Sequence, residues 1–191
     1  MTARMAGATG STELLCAFAN TLQFNEPEPG AVDVYDTLSG AAEVTAWLRE
    51  HGLVPEDAAA RSGDFTRALA IRNGLREAFA LHHDRVLAPV PALDEVARAL
   101  PLRVAFDESL PRLTSAGSGV AGGLGLLLVA VAECRSNDTW RRLKLCRSEV
   151  CQWAYFDVSK NRSRAWCSME ICGNRQKTRS YRARHRSPED P

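Results

Sequence analysis

Cys146-Arg147-Ser148-Glu149-Val150-Cys151, then fifteen residues, then Cys167-Ser168-Met169-Glu170-Ile171-Cys172-Gly173-Asn174-Arg175 is the stretch that organises this chain. Two close cysteine pairs, separated by enough chain for a hairpin, are the arrangement of a four-thiolate structural zinc site. Each pair supplies two sulfurs from one turn, and the hairpin between brings the pairs into a tetrahedron. The four-residue gaps are wider than the commonest two, within the range zinc ligands use. Disulfides are the alternative. They are disfavoured because Met-Thr-Ala-Arg-Met-Ala-Gly does not open a secretory signal and a reducing cytosol keeps thiols free. An iron–sulfur cluster takes the same ligands, usually at other spacings. Four thiolates leave no open position for water, so one zinc at Cys146, Cys151, Cys167 and Cys172 is expected to be structural rather than catalytic.

Working outward, residues 139–191 form a small module with too little apolar surface to fold alone, and metal binding can supply roughly 10–16 kcal/mol of folding free energy. Trp153, Tyr155, Phe156 and Trp166 are expected to make its core, a role favoured over base stacking. Gly173 is expected to let backbone amides approach the sulfurs, and Asn174 to cap a following helix. That helix carries Arg175, Arg179, Arg182 and Arg186 at spacings of 4, 3 and 4, flanked by Lys177 and Arg184. Arg162 and Arg164 fall in the hairpin between the pairs. The formal charge of +1 divides into 13 Lys/Arg against 5 Asp/Glu over residues 140–191 and 11 against 18 before them. A basic arm on an acidic body points to a polyanionic partner. No i,i+4 acid is present to pair the arginine stripe, which therefore reads as self-repelling until something anionic binds.

Leu145-Cys146…Cys151-Gln-Trp153-Ala-Tyr-Phe156-Asp157-Val-Ser159-Lys-Asn161-Arg162-Ser163-Arg164-Ala-Trp166-Cys167-Ser-Met169…Cys172-Gly173-Asn174-Arg175 strongly resembles the CGNR zinc-finger family, over about residues 140–185. The family's zinc-binding cysteines fall on Cys146, Cys151, Cys167 and Cys172. In that family the finger usually follows an N-terminal domain called ABATE. Leu15-Cys16-Ala17-Phe18-Ala19-Asn20-Thr21-Leu22 resembles its opening motif, with Ala17 where aspartate is common. Ala46-Trp47-Leu48 with Gly52-Leu53 resembles a later one. The resemblance implies a bacterial transcription regulator linked to stress.

The body, residues 1–138, reads as mostly helical. Leu14, Leu15, Phe18 and Leu22 recur at helical spacing behind Ser11 or Thr12 as cap, and Asn25 to Gly30 reads as loop. A helix from near Ser39 to Gly52 carries Val44, Trp47 and Leu48. A longer one from Asp64 to Val86 carries Phe65, Leu69, Leu75 and Phe79, with Pro89 and Pro91 stopping it, and a short one covers Asp94 to Leu100. Leu102, Val104 and Phe106 alternate as a strand that Leu110 to Thr114 can pair with, before a buried helix from Val120 to Cys134. The apolar run from Gly119 to Ala132 is 14 residues, too short to span a bilayer. Gly117, Gly119 and Gly122 spell G-x-G-x-x-G without the strand that a dinucleotide site needs, and read as a loop before that helix. His82 and His83 are expected to be partly exposed helix residues that cannot share a face. Cys16 and Cys134 read as small buried side chains.

The expected fold is α+β: a mainly helical N-terminal domain with a small β-hairpin, then a treble-clef-like zinc finger ending in a basic helix. No acid, base or nucleophile converges, so the chain reads as a cytoplasmic DNA-binding regulator and not an enzyme. Its contact set is Arg162, Arg164, Arg175, Lys177, Arg179 and Arg182. The body is expected to sense a small-molecule effector or to mediate homodimerisation. Two alternatives stand: an RNA partner for the same finger, or an interaction or small-molecule-binding module whose zinc is only structural.

Overall fold

The computed structural model describes residues 8–28, 31–84, 88–107 and 110–185. Helix α1 (Ala8–Ala19) leads into strands β1 (Leu22–Asn25) and β2 (Asp33–Asp36), then α2 (Ala41–Glu50), α3 (Asp64–Leu81) and α4 (Pro91–Ala99). Strands β3 (Leu102–Ala105) and β4 (Arg112–Ser115) precede α5 (Gly119–Ser136). Strands β5 (Leu143–Leu145) and β6 (Ala154–Phe156) and helix α6 (Asn174–His185) complete the order. Each pair of consecutive strands is an isolated two-stranded antiparallel hairpin. Two such strands are marginal alone, so each hairpin depends on the helices beneath it.

Helix α5 is the hub. Its glycines let neighbours approach where a side chain would collide: a Cβ on Gly125 would overlap Ser115 Oγ of β4, and one on Gly123 would lie 2.6 Å from Val54 Cγ1. Leu124 and Leu127 of α5 are fully buried with Leu15 and Phe18 of α1, and with Ile71, Leu75 and Phe79 of α3. By length and mean hydropathy, 1.4 over 18 residues, α5 could cross a membrane, yet over half of it is buried inside this core. Gly117, of the G-x-G-x-x-G run, packs its carbonyl against Gly122 at the start of α5, as a loop before a buried helix.

The same core continues into the cysteine module. Leu143, Leu145 and Ala154 of the β5–β6 hairpin belong to one cluster with the helices, and Phe156 packs against it. Polar stitching reinforces this joint. The Asn20 amide brackets Ala154, donating to its carbonyl at 2.9 Å and accepting from its N–H at 2.7 Å. Arg76, buried in α3, donates to the Ala19 carbonyl at 3.0 Å, the Leu22 carbonyl at 3.2 Å and the Gln152 carbonyl at 3.3 Å. One guanidinium thereby ties α1, β1 and the residue that follows Cys151.

Three expectations for the body are corrected and a fourth, the loop, is given its place. Helix α1 starts at Ala8, so Ser11 does not cap it; the Ser11 hydroxyl is buried inside the helix and donates to Glu133 on α5. The stretch read as loop from Asn25 lies at the turn of the β1–β2 hairpin, with Leu22 opposite Asp36 and Asn25 opposite Asp33; Pro29 and Gly30 lie outside the described residues. Helix α3 ends at Leu81, and the one-turn 3-10 segment His82–Asp84 follows; Val86 lies outside the described residues. His82 is buried rather than partly exposed. Its Nδ1 lies 2.7 Å from the Leu143 carbonyl, while His83 Nε2 meets the carbonyl of Leu145. The tighter 3-10 turn and the two-residue step of β5 let adjacent histidines serve one strand.

Candidate metal centre and basic helix

The metal centre is assembled from three local devices. Cys146 continues β5, its N–H donating to Trp153 O at 2.8 Å. The chain then turns through Ser148, whose carbonyl accepts from Cys151 and Gln152, with Gln152 at φ +47°. Cys146 and Cys151 therefore flank one hairpin turn. Cys167 precedes a one-turn π-type segment, Met169–Gly173, and Cys172 sits inside it. Ser168 caps that turn through its side chain, accepting from Ile171 N at 3.3 Å. This replaces the expected cap at Asn174, which has helical dihedrals because the π-type turn runs straight into α6. Gly173 donates its N–H to Ser168 O, not to a sulfur; it is buried against Met169 and Trp166, where a Cβ would come within 3.1 Å of Met169 Cε.

All six cysteines are free. The sulfurs of Cys146, Cys151, Cys167 and Cys172 lie within 4.8 Å of one another. Cys151 and Cys167 are 3.6 Å apart, and Cys167 and Cys172 3.7 Å. A zinc–sulfur bond of about 2.3 Å gives a tetrahedron with edges of about 3.8 Å, so the cage fits one zinc with all four positions filled by thiolate. Within the cluster the Cys146 thiol is driven down to about 5, chiefly by the hydrogen bond from Cys151 and against the effect of burial. That same bond, with burial, pushes Cys151 up. Zinc must displace the remaining protons, so it binds more tightly as pH rises. Cys16 behaves otherwise: it is partly buried against the core, unlike the fully buried Cys134, and burial, with Cys134 and Glu13 nearby, pushes its thiol up to about 12, as suits an unreactive side chain.

Around the sulfurs, Tyr155 is buried and Trp166 is half-buried, as expected of a module core. Phe156 turns instead into the main core, and Trp153 is 41% exposed. The loop 157–164 is held by a buried ion pair that the sequence did not announce. Lys144 Nζ lies 2.7 Å from Asp157 Oδ2 and donates to the carbonyls of Arg162, at 2.7 Å, and Arg164, at 3.4 Å. Both side chains are essentially without solvent exposure. Asp157 also accepts from Ser159 N, Ser159 Oγ and Arg164 N. Burial alone would raise its carboxyl, but the Lys144 and Ser159 hydrogen bonds hold it down at about 2.

A family model for the CGNR zinc finger matches residues 142–185, and one for ABATE, described as "Putative stress-induced transcription regulator", matches residues 12–134. The chain belongs to the ABATE family. Its second part is a CGNR finger holding one structural zinc. No curated protein gives a significant match. The finger begins at Arg142, whose Nη1 donates to the Asp157 and Ser159 carbonyls, both at 2.9 Å.

The six basic residues expected to meet a polyanion are placed unequally. Arg164 donates to the carbonyls of Trp166 and Cys167 and stacks over Tyr155, so its donors serve the finger itself. Arg162, at φ +51°, pairs with the exposed Asp138. Arg175 and Arg179 both meet Glu26, from the ABATE hairpin loop, whose side chain is 7% exposed. The stripe is thus not wholly self-repelling: its acid comes from 150 residues away, where no helical spacing could reveal it. Lys177 and Arg182 are exposed on α6. Arg186 lies outside the described residues.

Proposed function

We propose that this ABATE protein is a cytoplasmic DNA-binding transcription regulator. Its CGNR finger lays α6 along a nucleic-acid backbone, while its ABATE part senses a ligand or mediates oligomerisation. The observation that carries this reading is the state of α6. It holds five Lys and Arg residues and no acid, is solvent-exposed from Gln176 to Arg182, and has its base fixed by the Cys172 turn. Two of these cations meet Glu26 and three do not, and an excess of cations of this kind favours phosphate, whose oxygens arginine forks bind in pairs. These contacts position the protein more than they read sequence.

The test is a salt titration of binding to duplex DNA, followed by anisotropy of a labelled duplex. With Arg164 committed internally, about four phosphates met by Arg162, Lys177, Arg179 and Arg182 give a log–log slope of roughly −3.6. A flat profile, or no binding at low salt, refutes the reading. Stronger competition by structured RNA than by duplex DNA would transfer the same interface to RNA.

A further inference from the structure

Beside the α3–β5 joint lies a half-open cavity of 650 Å³, within the size range of small-molecule sites. Leu81, Leu93, Leu128, Val131 and Trp140 are among its apolar lining. Two charged side chains, Asp94 and Arg135, stand at it with opposite signs and are both exposed. The third polar residue differs. His82 is 5% exposed, and its ring lies edge-on to Trp140 at 5.1 Å. Its Nδ1 faces the Leu143 carbonyl at 2.7 Å. A carbonyl can only accept, so Nδ1 carries the proton; burial keeps the ring neutral by lowering its pKa. The ring's other nitrogen, Nε2, is then a lone-pair acceptor on a residue that lines the cavity.

We infer that this cavity binds a small uncharged molecule with an apolar, preferably aromatic, body and one hydroxyl, the body seated against Trp140 and the hydroxyl donating to His82 Nε2. A carboxylate is disfavoured, because a neutral Nε2 has no proton to give and Asp94 offsets Arg135 at the mouth. An amine is disfavoured by the desolvation of its charge among leucines. The inference deepens the sensing role proposed for the ABATE part. The other nitrogen of His82 holds Leu143, three residues before Cys146 on the strand that carries the metal site. Occupancy at Nε2 therefore acts on the bond that anchors β5.

The experiment uses the full chain loaded with zinc and no nucleic acid, so its outcome is separable from that of DNA binding. 1-Naphthol, naphthalene and 1-naphthoate are titrated and followed by calorimetry. The expectation is saturable one-to-one binding of 1-naphthol, with the other two about tenfold weaker or more. Ala97→Trp and Val131→Trp, which fill the cavity from its outer side, are expected to abolish binding while zinc content and circular dichroism stay unchanged. His82→Phe is expected to erase the preference for 1-naphthol over naphthalene. The rate of zinc loss to a chelator is expected to change about fivefold or more with saturating 1-naphthol. Absence of saturable binding, equal binding of naphthalene, or binding that survives both tryptophan substitutions overturns the site. An unchanged zinc-loss rate overturns its coupling to the finger.

Discussion

Lys144→Met probes the ion pair beneath the finger. Methionine keeps the unbranched stem of lysine and its packing, and removes the ammonium from Asp157 and from the carbonyls of Arg162 and Arg164. Breaking a buried pair by removing one partner costs about 3–5 kcal/mol. Asp157 keeps three donors, from Ser159 N, Ser159 Oγ and Arg164 N, which places the loss at the lower end, about 3 kcal/mol. For a chain of this length that is a fall in Tm of about 6–12 °C. Urea denaturation of the zinc-saturated protein, followed by circular dichroism, measures it. The pH dependence gives a second reading. The folded pKa of Asp157, about 2, lies below an unfolded value of about 3.9. Its contribution is therefore fully present above about pH 4 and is lost as pH falls toward 2. Without Lys144 the folded pKa rises, and the difference between wild type and variant shrinks as pH drops through this window. A loss below about 1 kcal/mol, or a difference independent of pH, would show that the pair behaves as a surface contact and refute the reasoning.

Cys172→Ser is expected to reduce zinc content from one to near zero by metal analysis and to weaken protection of residues 142–185 in hydrogen exchange; retention of one zinc would contradict the four-sulfur cage. Glu26→Gln is expected to free Arg175 as a fifth phosphate contact beside the four already counted, tightening DNA binding and steepening the salt slope by about 0.9. Weaker binding would make Glu26 a brace for α6 instead of a competitor for its cations. Gly125→Ala is expected to cost about 1–3 kcal/mol, because the new methyl overlaps Ser115, with Ser115→Gly in the same chain restoring most of it; a neutral Gly125→Ala would mean that β4 yields freely.

What could be read in the sequence was what is encoded locally. The cysteine spacing, the long α3, the glycine-rich α5 and the run of bases in α6 follow from periods of a few residues, and each is present. Alternation in Leu102, Val104 and Phe106 correctly indicated a strand but not its buried face. Val104 and Phe106 are 52% and 78% exposed while Ala105 is buried, because the hairpin approaches α5 with its small residues. The β1–β2 hairpin escaped notice because its strands have four residues each and β2 is exposed throughout, leaving no apolar period. Lys144 between two leucines resembled a solvent-facing strand residue. Its burial depends on Asp157, and that pairing exists only once the hairpin has closed. Glu26, Arg76 and His82 share the same difficulty, since their partners lie 54 to 153 residues away.

The stitching of β5 and β6 into α1 and α3 bears on how such a protein could respond to its surroundings. The finger has no seat of its own: its hairpin is part of the same apolar cluster as the helices of the body. Were the proposed effector and the proposed nucleic acid both to bind, a disturbance in the body would have to pass through the strand leading to Cys146 before it reached α6.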